Sequence, residues 1–394
     1  MDAKKKKIVA FGFVLVALSY MSIKLSTPAL PLLQYQFHTE AFYLKLSGML
    51  YLIFFALSQL LWGAISQFFA RRHIIFWGLF VASIGTLVTM VSVTVWMFIL
   101  GRVIEGIGMG VGSCLCRILM SDRLEKQEIA HATVFFGVIF NFMPFIAPTT
   151  GQYLIILLSW RWIFAFFFVV LAAYGTYAFF ALPETKPKSK ESFSLRKIFS
   201  DYEWILSSPI FWAYIIGFTL YVGLMLGYYM AIPYWYMVHF GISDRYYTFL
   251  ALFTAVPNVL AYYFGRFIIR KHGATGCINF AYLFGILAVV LALYFALFVG
   301  SSPTTIILTL VIVATSLGFI QPATNAGLIS QFREKAGIVS ALIPVFGFGG
   351  AGGFFLLLTN IPLTTLWPFT LIVTIVVGVG IWNRLWLKRI ASDI

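Results

Sequence analysis

The sequence is short of charge, and of acidic residues above all. Of its 394 residues only 10% are Asp, Glu, Lys or Arg, with 13 acids in all, whereas 61% belong to the apolar set AVILMFWYC. A soluble globular chain carries roughly 25% charged residues. This sequence has too little polar surface to cover a water-soluble fold, so we expect a chain that is solvated by a lipid bilayer. The same composition excludes intrinsic disorder.

Motifs of several other protein classes are also missing. The three cysteines, Cys114, Cys116 and Cys277, are too few for a disulfide framework, and no pair has the spacing of a zinc site. The sequence contains no G-x-x-x-x-G-K-[ST] nucleotide-binding loop and no H-E-x-x-H. We therefore expect no cofactor, no metal and no enzyme activity. The formal charge of +14 does not indicate nucleic acid, because the basic residues lie in short clusters between apolar runs.

Long apolar runs are what the sequence has instead. A bilayer core of about 30 Å is crossed by roughly 20 helical residues. Twelve runs of this order predict an all-α integral membrane protein with twelve transmembrane helices. Their limits are 8–33, 43–69, 74–95, 97–119, 130–157, 162–182, 209–237, 247–269, 275–299, 304–330, 337–359 and 364–386.

Lysine and arginine are distributed unevenly over the loops between these runs. If the N-terminal end is cytoplasmic, 21 of the 27 basic residues lie on the cytoplasmic side, and only Lys45, Arg161 and Arg245 lie outside. Cytoplasmic loops of membrane proteins are enriched in basic residues. We therefore expect a multi-pass protein of the inner (cytoplasmic) membrane with both termini in the cytoplasm.

The two halves of the chain contain a similar segment. Gly63 to His73 reads GAISQFFARRH after the second run, and Gly265 to Gly273 reads GRFIIRKHG after the eighth. Parallel repeats of this kind place the substrate site between the halves, near the middle of the membrane. We expect two pseudo-symmetric six-helix bundles, 1–182 and 209–394, joined by a cytoplasmic linker over 183–208.

Short motifs occur along the whole chain in a characteristic order. PALP ends the first run, Gly63 to Arg72 is similar to a loop signature G-x-L-a-D-r-x-G-r-R, and Arg102-x-x-x-Gly106 follows in the fourth run. Later motifs are Pro144, Pro148 and Gly151, then SWRWIF at 159–164, LPET at 182–185, QPATNAG at 321–327 and AGIVSAL at 336–342. This series resembles the major facilitator superfamily, and within it the drug–proton antiporters of the bicyclomycin/chloramphenicol-resistance type.

The resemblance implies a transporter that works by alternating access, and it makes two departures visible. Gln67 stands where the loop signature has an acid, and Lys24 stands where the group usually carries an acid implicated in binding protons or cationic substrates. The lysine argues against a simple transporter of cationic drugs. The resemblance assigns gating to Gly63, Gln67, Arg71, Arg72, Pro144, Pro148 and Gly151.

Three ionisable residues are predicted at a similar depth within the membrane. Lys24 in the first run and Arg102 in the fourth each lie about 6–7 Å from the middle, and Glu105 is one turn from Arg102. In the resembled fold, helices 1, 4, 7 and 10 line a central cavity, so the three side chains could share a chamber. Alternatively, Arg102 and Glu105 form a structural ion pair, and Lys24 extends to the outer headgroups. Arg117, nearer the end of its run, is expected to extend to the cytoplasmic headgroups.

Glu105 is the only acid well within a run, which makes it the candidate for proton coupling. Tyr221, Tyr228, Gln321 and Asn325 are further candidates for substrate contacts, although each could instead pack between helices. The cations outnumber the acid, and a positive chamber attracts anions. The leading hypothesis is a monomeric, proton-coupled exporter of an organic anion such as a siderophore-like polycarboxylate. Multidrug efflux of lipophilic or cationic drugs and import of an organic anion are the alternatives.

Overall fold

The computed structural model describes residues 3–66, 68–124, 126–185, 195–232, 235–236, 239–241, 244–332, 335–361 and 365–392. The chain forms two compact units, Met1–Leu195 and Arg196–Ile394. The helices of the first unit are α1 Ala3–Lys24, α2 Leu30–Gln36, α3 Ala41–Ser66, α4 Arg71–Met90, α5 Val95–Arg123, α6 Lys126–Leu157 and α7 Trp160–Ala181.

Helices α1 and α2 together make the first membrane span. A short 3₁₀ turn, Thr27–Ala29, separates them at the PALP motif. Pro28 and Pro31 cannot donate the backbone hydrogen bonds that an uninterrupted α-helix requires. The interruption therefore follows from the sequence, and it places Lys24 in the last turn of α1.

The second unit begins with a short helix in the segment that the sequence predicts as a linker. The Asp201 carboxylate of this helix lies 2.7 Å from Lys335 Nζ, and its Trp204 ring packs against Phe332 with centroids 5.7 Å apart. The helix thus packs on the turn that precedes α12. The helices from this point on are α8 Leu195–Leu206, α9 Pro209–Ile232, α10 Asp244–Phe298, α11 Pro303–Gln331, α12 Ala336–Thr359 and α13 Trp367–Ser392.

Helix α10 contains two of the predicted spans, and Gly273 interrupts it between them. Gly273 has φ 71° and ψ 176°, a conformation that side-chain-bearing residues rarely adopt. In the described residues, ten helical stretches are long and apolar enough to cross a membrane, and one of these, Phe253–Phe298, covers both legs of α10. Helix α6, with its apolar segment Ile146–Leu157, supplies the remaining span. The prediction of an all-α fold with twelve spans is confirmed.

The exposed faces of the helices are apolar, as a bilayer requires. On the second leg of α10, Phe280, Leu283, Leu287 and Val290 follow one another at helical spacing and are 47%, 61%, 50% and 58% exposed. In water such a stripe would be costly, whereas hydrocarbon solvates it without penalty.

Candidate functional site

The polar centre of the first unit is an ion pair on α5. Arg102 Nη1 lies 2.7 Å from Glu105 Oε2, and the two side chains are only 3% and 1% exposed. Arg102 Nη2 donates to the Ser22 carbonyl oxygen of α1 at 3.2 Å, and the guanidinium lies 4.1 Å from the centre of the Tyr51 ring on α3. The Tyr51 and Ser22 hydroxyls are hydrogen-bonded to each other. The pair on α5 therefore contacts α1 through Ser22 and α3 through Tyr51.

Small residues bring α5 close enough to α4 to bury this pair. A Cβ atom on Gly85 of α4 would lie 2.2 Å from the Glu105 backbone nitrogen, and one on Gly108 of α5 would lie 2.2 Å from the Ala82 nitrogen. Glycines that permit such close approach are typical of helix packing in membranes. The glycine-rich sequence of α5, GRVIEGIGMGVG, thus determines the depth at which Arg102 and Glu105 lie.

Lys24 lies at the same level of the first unit. It follows Ser22, the acceptor of the Arg102 hydrogen bond, by two residues, and it is 2% exposed. The end of α1 favours a cation there, because the helix dipole is negative at its C-terminus. This burial favours an interior position of Lys24 over an extension to the headgroups, and its contact with a substrate stays a prediction. Lys24 is therefore buried on α1, two residues after the backbone group that Arg102 contacts.

A second group of charges, which we call the Arg71 cluster, consists of Arg71, Asp122, Glu184 and Thr185. Arg71 Nε and Nη2 donate to the two carboxylate oxygens of Asp122 at 3.0 and 3.4 Å, and the Arg71 backbone N–H donates to Glu184 at 3.0 Å. Thr185 Oγ1 donates to Asp122 at 2.9 Å. The start of α4, the end of α5 and the LPET segment after α7 are therefore joined.

The other residues predicted for gating lie in different places. Gly63 faces α5, since a Cβ atom there would lie 3.2 Å from Cys114 Sγ. Gly151 allows α6 to approach the end of α1, since a Cβ atom there would lie 2.1 Å from the Leu25 oxygen. Pro148 is buried in α6, while Arg72 is exposed and lies 5.9 Å from the Phe179 ring. Gln67 and the side chain of Pro144 lie outside the described part of the structure.

The candidate substrate contacts of the second unit are partly interior. Tyr221 is fully buried and packs against Tyr282, with ring centroids 6.1 Å apart. Tyr228 is also fully buried, and its hydroxyl lies 3.2 Å from the hydroxyl of Tyr236. Both tyrosines therefore take part in packing inside this unit. Gln321 and Asn325 of α11 are partly exposed and lie on one face of the helix at i and i+4.

Sequence reasoning missed several partners of these charges. Tyr51 and Ser22 belong to common residue types in apolar helices, and no spacing distinguishes them in the sequence. Asp122 and Glu184 carried a usable signal, because each acid lies at the end of a span and near a basic loop. The sequence could have paired them with Arg71 only if the neighbouring helices were known.

Comparison with known proteins agrees with this architecture. The model of the Major Facilitator Superfamily matches residues 12–355. The human organic anion transporter MFSD10 (TETRAN) has a similar fold, with a TM-score of 0.71 and 16% identity over 98% of this chain and 100% of that chain.

Two curated relatives are named for drug resistance. The chloramphenicol resistance protein of Pseudomonas aeruginosa is 22% identical, over 93% of this chain and 88% of the relative. Multidrug resistance protein D of Escherichia coli (strain K12) is 26% identical, over 45% of this chain and 42% of the relative. The matches to the first three curated relatives span 63%, 60% and 42% of those proteins' own length. With its family model, its twelve spans and these relatives, the chain belongs to the major facilitator superfamily and is similar to the drug-resistance members of the bicyclomycin/chloramphenicol type.

Proposed function

We propose that the chain is a secondary active transporter of small organic anions that works by alternating access and uses protons as the coupling ion. The observation that carries the proposal is the buried Arg102–Glu105 pair, which places a titratable carboxylate and a fixed cation 2.7 Å apart inside the first unit. Ionisable groups are costly within a membrane, and they mark ion and substrate pathways. We further infer an inner-membrane location with cytoplasmic termini, from the distribution of basic residues.

The charge balance of this region supports an anionic substrate. Lys24 and Arg102 are buried cations and Glu105 is a buried acid, at a similar depth of the first unit. A proton on Glu105 would remove the only negative charge of the three and leave Arg102 without its ionic partner. A carboxylate of the substrate could then compensate the guanidinium, which binds carboxylates through two parallel hydrogen bonds.

This balance also bears on the direction of transport. Protonation of Glu105 makes the region more positive, so proton and anion should strengthen each other's binding, and the linkage is reciprocal. Ligands that bind together move together, which favours the import of an anion with protons. Export, the direction suggested by the names of the drug-resistance relatives, requires instead that the proton and the substrate exclude each other. Export stays the leading hypothesis because the names of the drug-resistance relatives suggest it. Import is the alternative, and the charge balance of this region favours it.

The experiment is transport by purified protein in liposomes with a pH gradient imposed in either direction. Carboxyfluorescein and rhodamine 123 serve as probes, because they share a xanthene ring system but carry opposite charges. We expect saturable, gradient-driven movement of carboxyfluorescein and little movement of rhodamine 123. Uptake that is driven by a proton gradient directed into the liposomes indicates symport, and uptake that is driven by the opposite gradient indicates antiport. Movement of rhodamine 123 alone would establish the alternative of cationic drug efflux, and indifference to both gradients would refute proton coupling.

Glu105→Gln tests the proposed role of the acid. Gradient-driven accumulation of carboxyfluorescein should be abolished, whereas exchange at equal concentrations should persist, because only the proton-dependent step is lost. Glu128→Gln is the matched control, since Glu128 pairs with Lys5 near the ends of α1 and α6, away from the Arg102 region. Breaking a buried pair can cost about 3–5 kcal/mol, so thermal stability is measured for both variants. Intact accumulation in a folded Glu105→Gln protein would assign the acid to structure.

A further inference from the structure

Arg117 is a second arginine of α5, and its surroundings differ from those of Arg102. Its side chain is exposed, and its Nη2 donates to Gln59 Oε1 of α3 at 3.3 Å. In the part of the chain that the structure describes, no carboxylate pairs with Arg117. Arg102, by contrast, is 3% exposed and is bound by Glu105, the Ser22 carbonyl and the Tyr51 ring.

Gln59 forms a built support for the Arg117 guanidinium. It is 0% exposed, and its Nε2 donates to the Phe55 carbonyl oxygen at 3.4 Å, which directs Oε1 toward Arg117. A guanidinium has five N–H donors in a fixed plane, and the contact with Gln59 occupies one of them. The contact thereby holds one nitrogen of the guanidinium, while most of its donors stay available to a ligand.

Arg117 lies toward the end of α5 that is predicted to be cytoplasmic. Arg117 is six residues before the end of α5, and Gln59 is seven residues before the end of α3. At a rise of about 1.5 Å per residue, they lie roughly 9 and 10.5 Å from the helix ends that are predicted to be cytoplasmic, and Arg117 lies two residues before the end of its predicted run, 97–119. Side chains of a helix lean toward its N-terminus, so Arg117 leans away from this membrane surface.

We propose that Arg117, positioned by Gln59, binds a carboxylate of the transported anion. Two geometric reasons support this assignment. The planar fork of a guanidinium matches the two oxygens of a carboxylate. Arg117 is also an exposed cation on a buried neutral partner, and no acid of the described residues has to be displaced from it. The inference rests on the proposed function and adds to it the residue that recognises the anionic group.

The test compares transport of carboxyfluorescein and of rhodamine 123 in liposomes by wild type, Arg117→Gln and Arg117→Lys. Loss of a charge-assisted hydrogen bond corresponds to roughly tenfold to hundredfold in affinity. Arg117→Gln should raise the KM for carboxyfluorescein by that factor and change kcat little. Arg117→Lys should give a smaller rise, because the charge is kept and the fork is lost. Transport of rhodamine 123 should not fall in either variant.

Gln59→Glu separates recognition from structure. It keeps an acceptor for Arg117 Nη2 and neutralises the cation with a carboxylate, although it loses the Nε2 donor to the Phe55 carbonyl oxygen. The KM for carboxyfluorescein should therefore rise as in Arg117→Gln, and thermal unfolding checks that the variant is folded. Lys388→Gln is the matched control for a general loss of positive charge, since Lys388 is an exposed cation on α13 of the second unit. Its KM should equal that of wild type.

The outcomes distinguish this inference from the proposed function. If wild type transports carboxyfluorescein, and folded Arg117→Gln and Gln59→Glu both keep its KM, Arg117 does not bind the anion and the proposed function stands. If the KM rises equally in Lys388→Gln, the effect comes from the overall charge of the protein, and the assignment of Arg117 is overturned. If wild type transports only rhodamine 123, the anionic substrate class fails, and this inference fails with it.

Discussion

The ion pair between Arg71 and Asp122 is expected to couple more strongly than the pair between Lys5 and Glu128, although the latter is shorter. Lys5 Nζ lies 2.8 Å from Glu128, and Arg71 Nε lies 3.0 Å from Asp122. Burial reverses the order of the expected energies. The Lys5 and Glu128 side chains are 29% and 21% exposed, whereas those of Arg71 and Asp122 are both 8% exposed. Water screens the more exposed pair, so distance alone is a poor guide to the interaction energy.

The magnitudes follow from geometry and burial. Arg71 contacts both carboxylate oxygens of Asp122 through two nitrogens, and a hydrogen bond to a charged group contributes about 1.5–3 kcal/mol. We expect a coupling energy of this size for Arg71 and Asp122. For the more exposed Lys5–Glu128 pair we expect about 0.2–1 kcal/mol.

Two double-mutant cycles measure these energies. The first combines Arg71→Gln with Asp122→Asn, and the second combines Lys5→Gln with Glu128→Gln. The readout is the free energy of unfolding of purified protein in detergent micelles, at low and at high salt. The coupling in the first cycle should persist at high salt, whereas that in the second should decline, because exposed charges are screened. Equal couplings in the two cycles, or a stronger Lys5–Glu128 coupling, would refute the argument from burial.

Two further predictions concern the interior of the first unit. Gly85→Ala should lower the free energy of unfolding by about 1–3 kcal/mol, because its Cβ atom would lie 2.2 Å from the Glu105 nitrogen. The control is Gly378→Ala, whose Cβ atom would have nothing within 4 Å and should leave the stability unchanged. Thermal unfolding in detergent compares the two variants. Lys24→Ala should weaken binding of carboxyfluorescein roughly tenfold to hundredfold, and Lys24→Asp should weaken it more. Titrations with purified protein measure the affinity. An unchanged preference for anion over cation in folded variants would remove Lys24 from the site.

Local features of the sequence were sufficient for most of the fold. Whether a run of residues crosses the bilayer depends on its length and polarity, and the interruptions at Pro28 and Gly273 depend on single residues. The pairing of Arg102 with Glu105 was also accessible, because residues at i and i+3 are neighbours on any helix. The sequence also allowed the alternative that Arg102 and Glu105 form a purely structural pair, but it could not decide between the two roles.

The contacts that define the candidate site were decided by the packing of the helices. The hydrogen bonds from Arg71 to Asp122, from Arg117 to Gln59 and from Arg102 to Ser22 join residues 51, 58 and 80 positions apart. In a membrane, helices are apolar on both their lipid-facing and their buried sides, so the pattern of hydrophobic residues does not say which face meets which neighbour. The sequence by itself determined which charges enter the membrane. Tertiary structure alone decided that Glu105 neutralises an enclosed Arg102 and that Arg117 stays exposed on a buried glutamine, because those outcomes depend on close approaches between helices that no local pattern encodes.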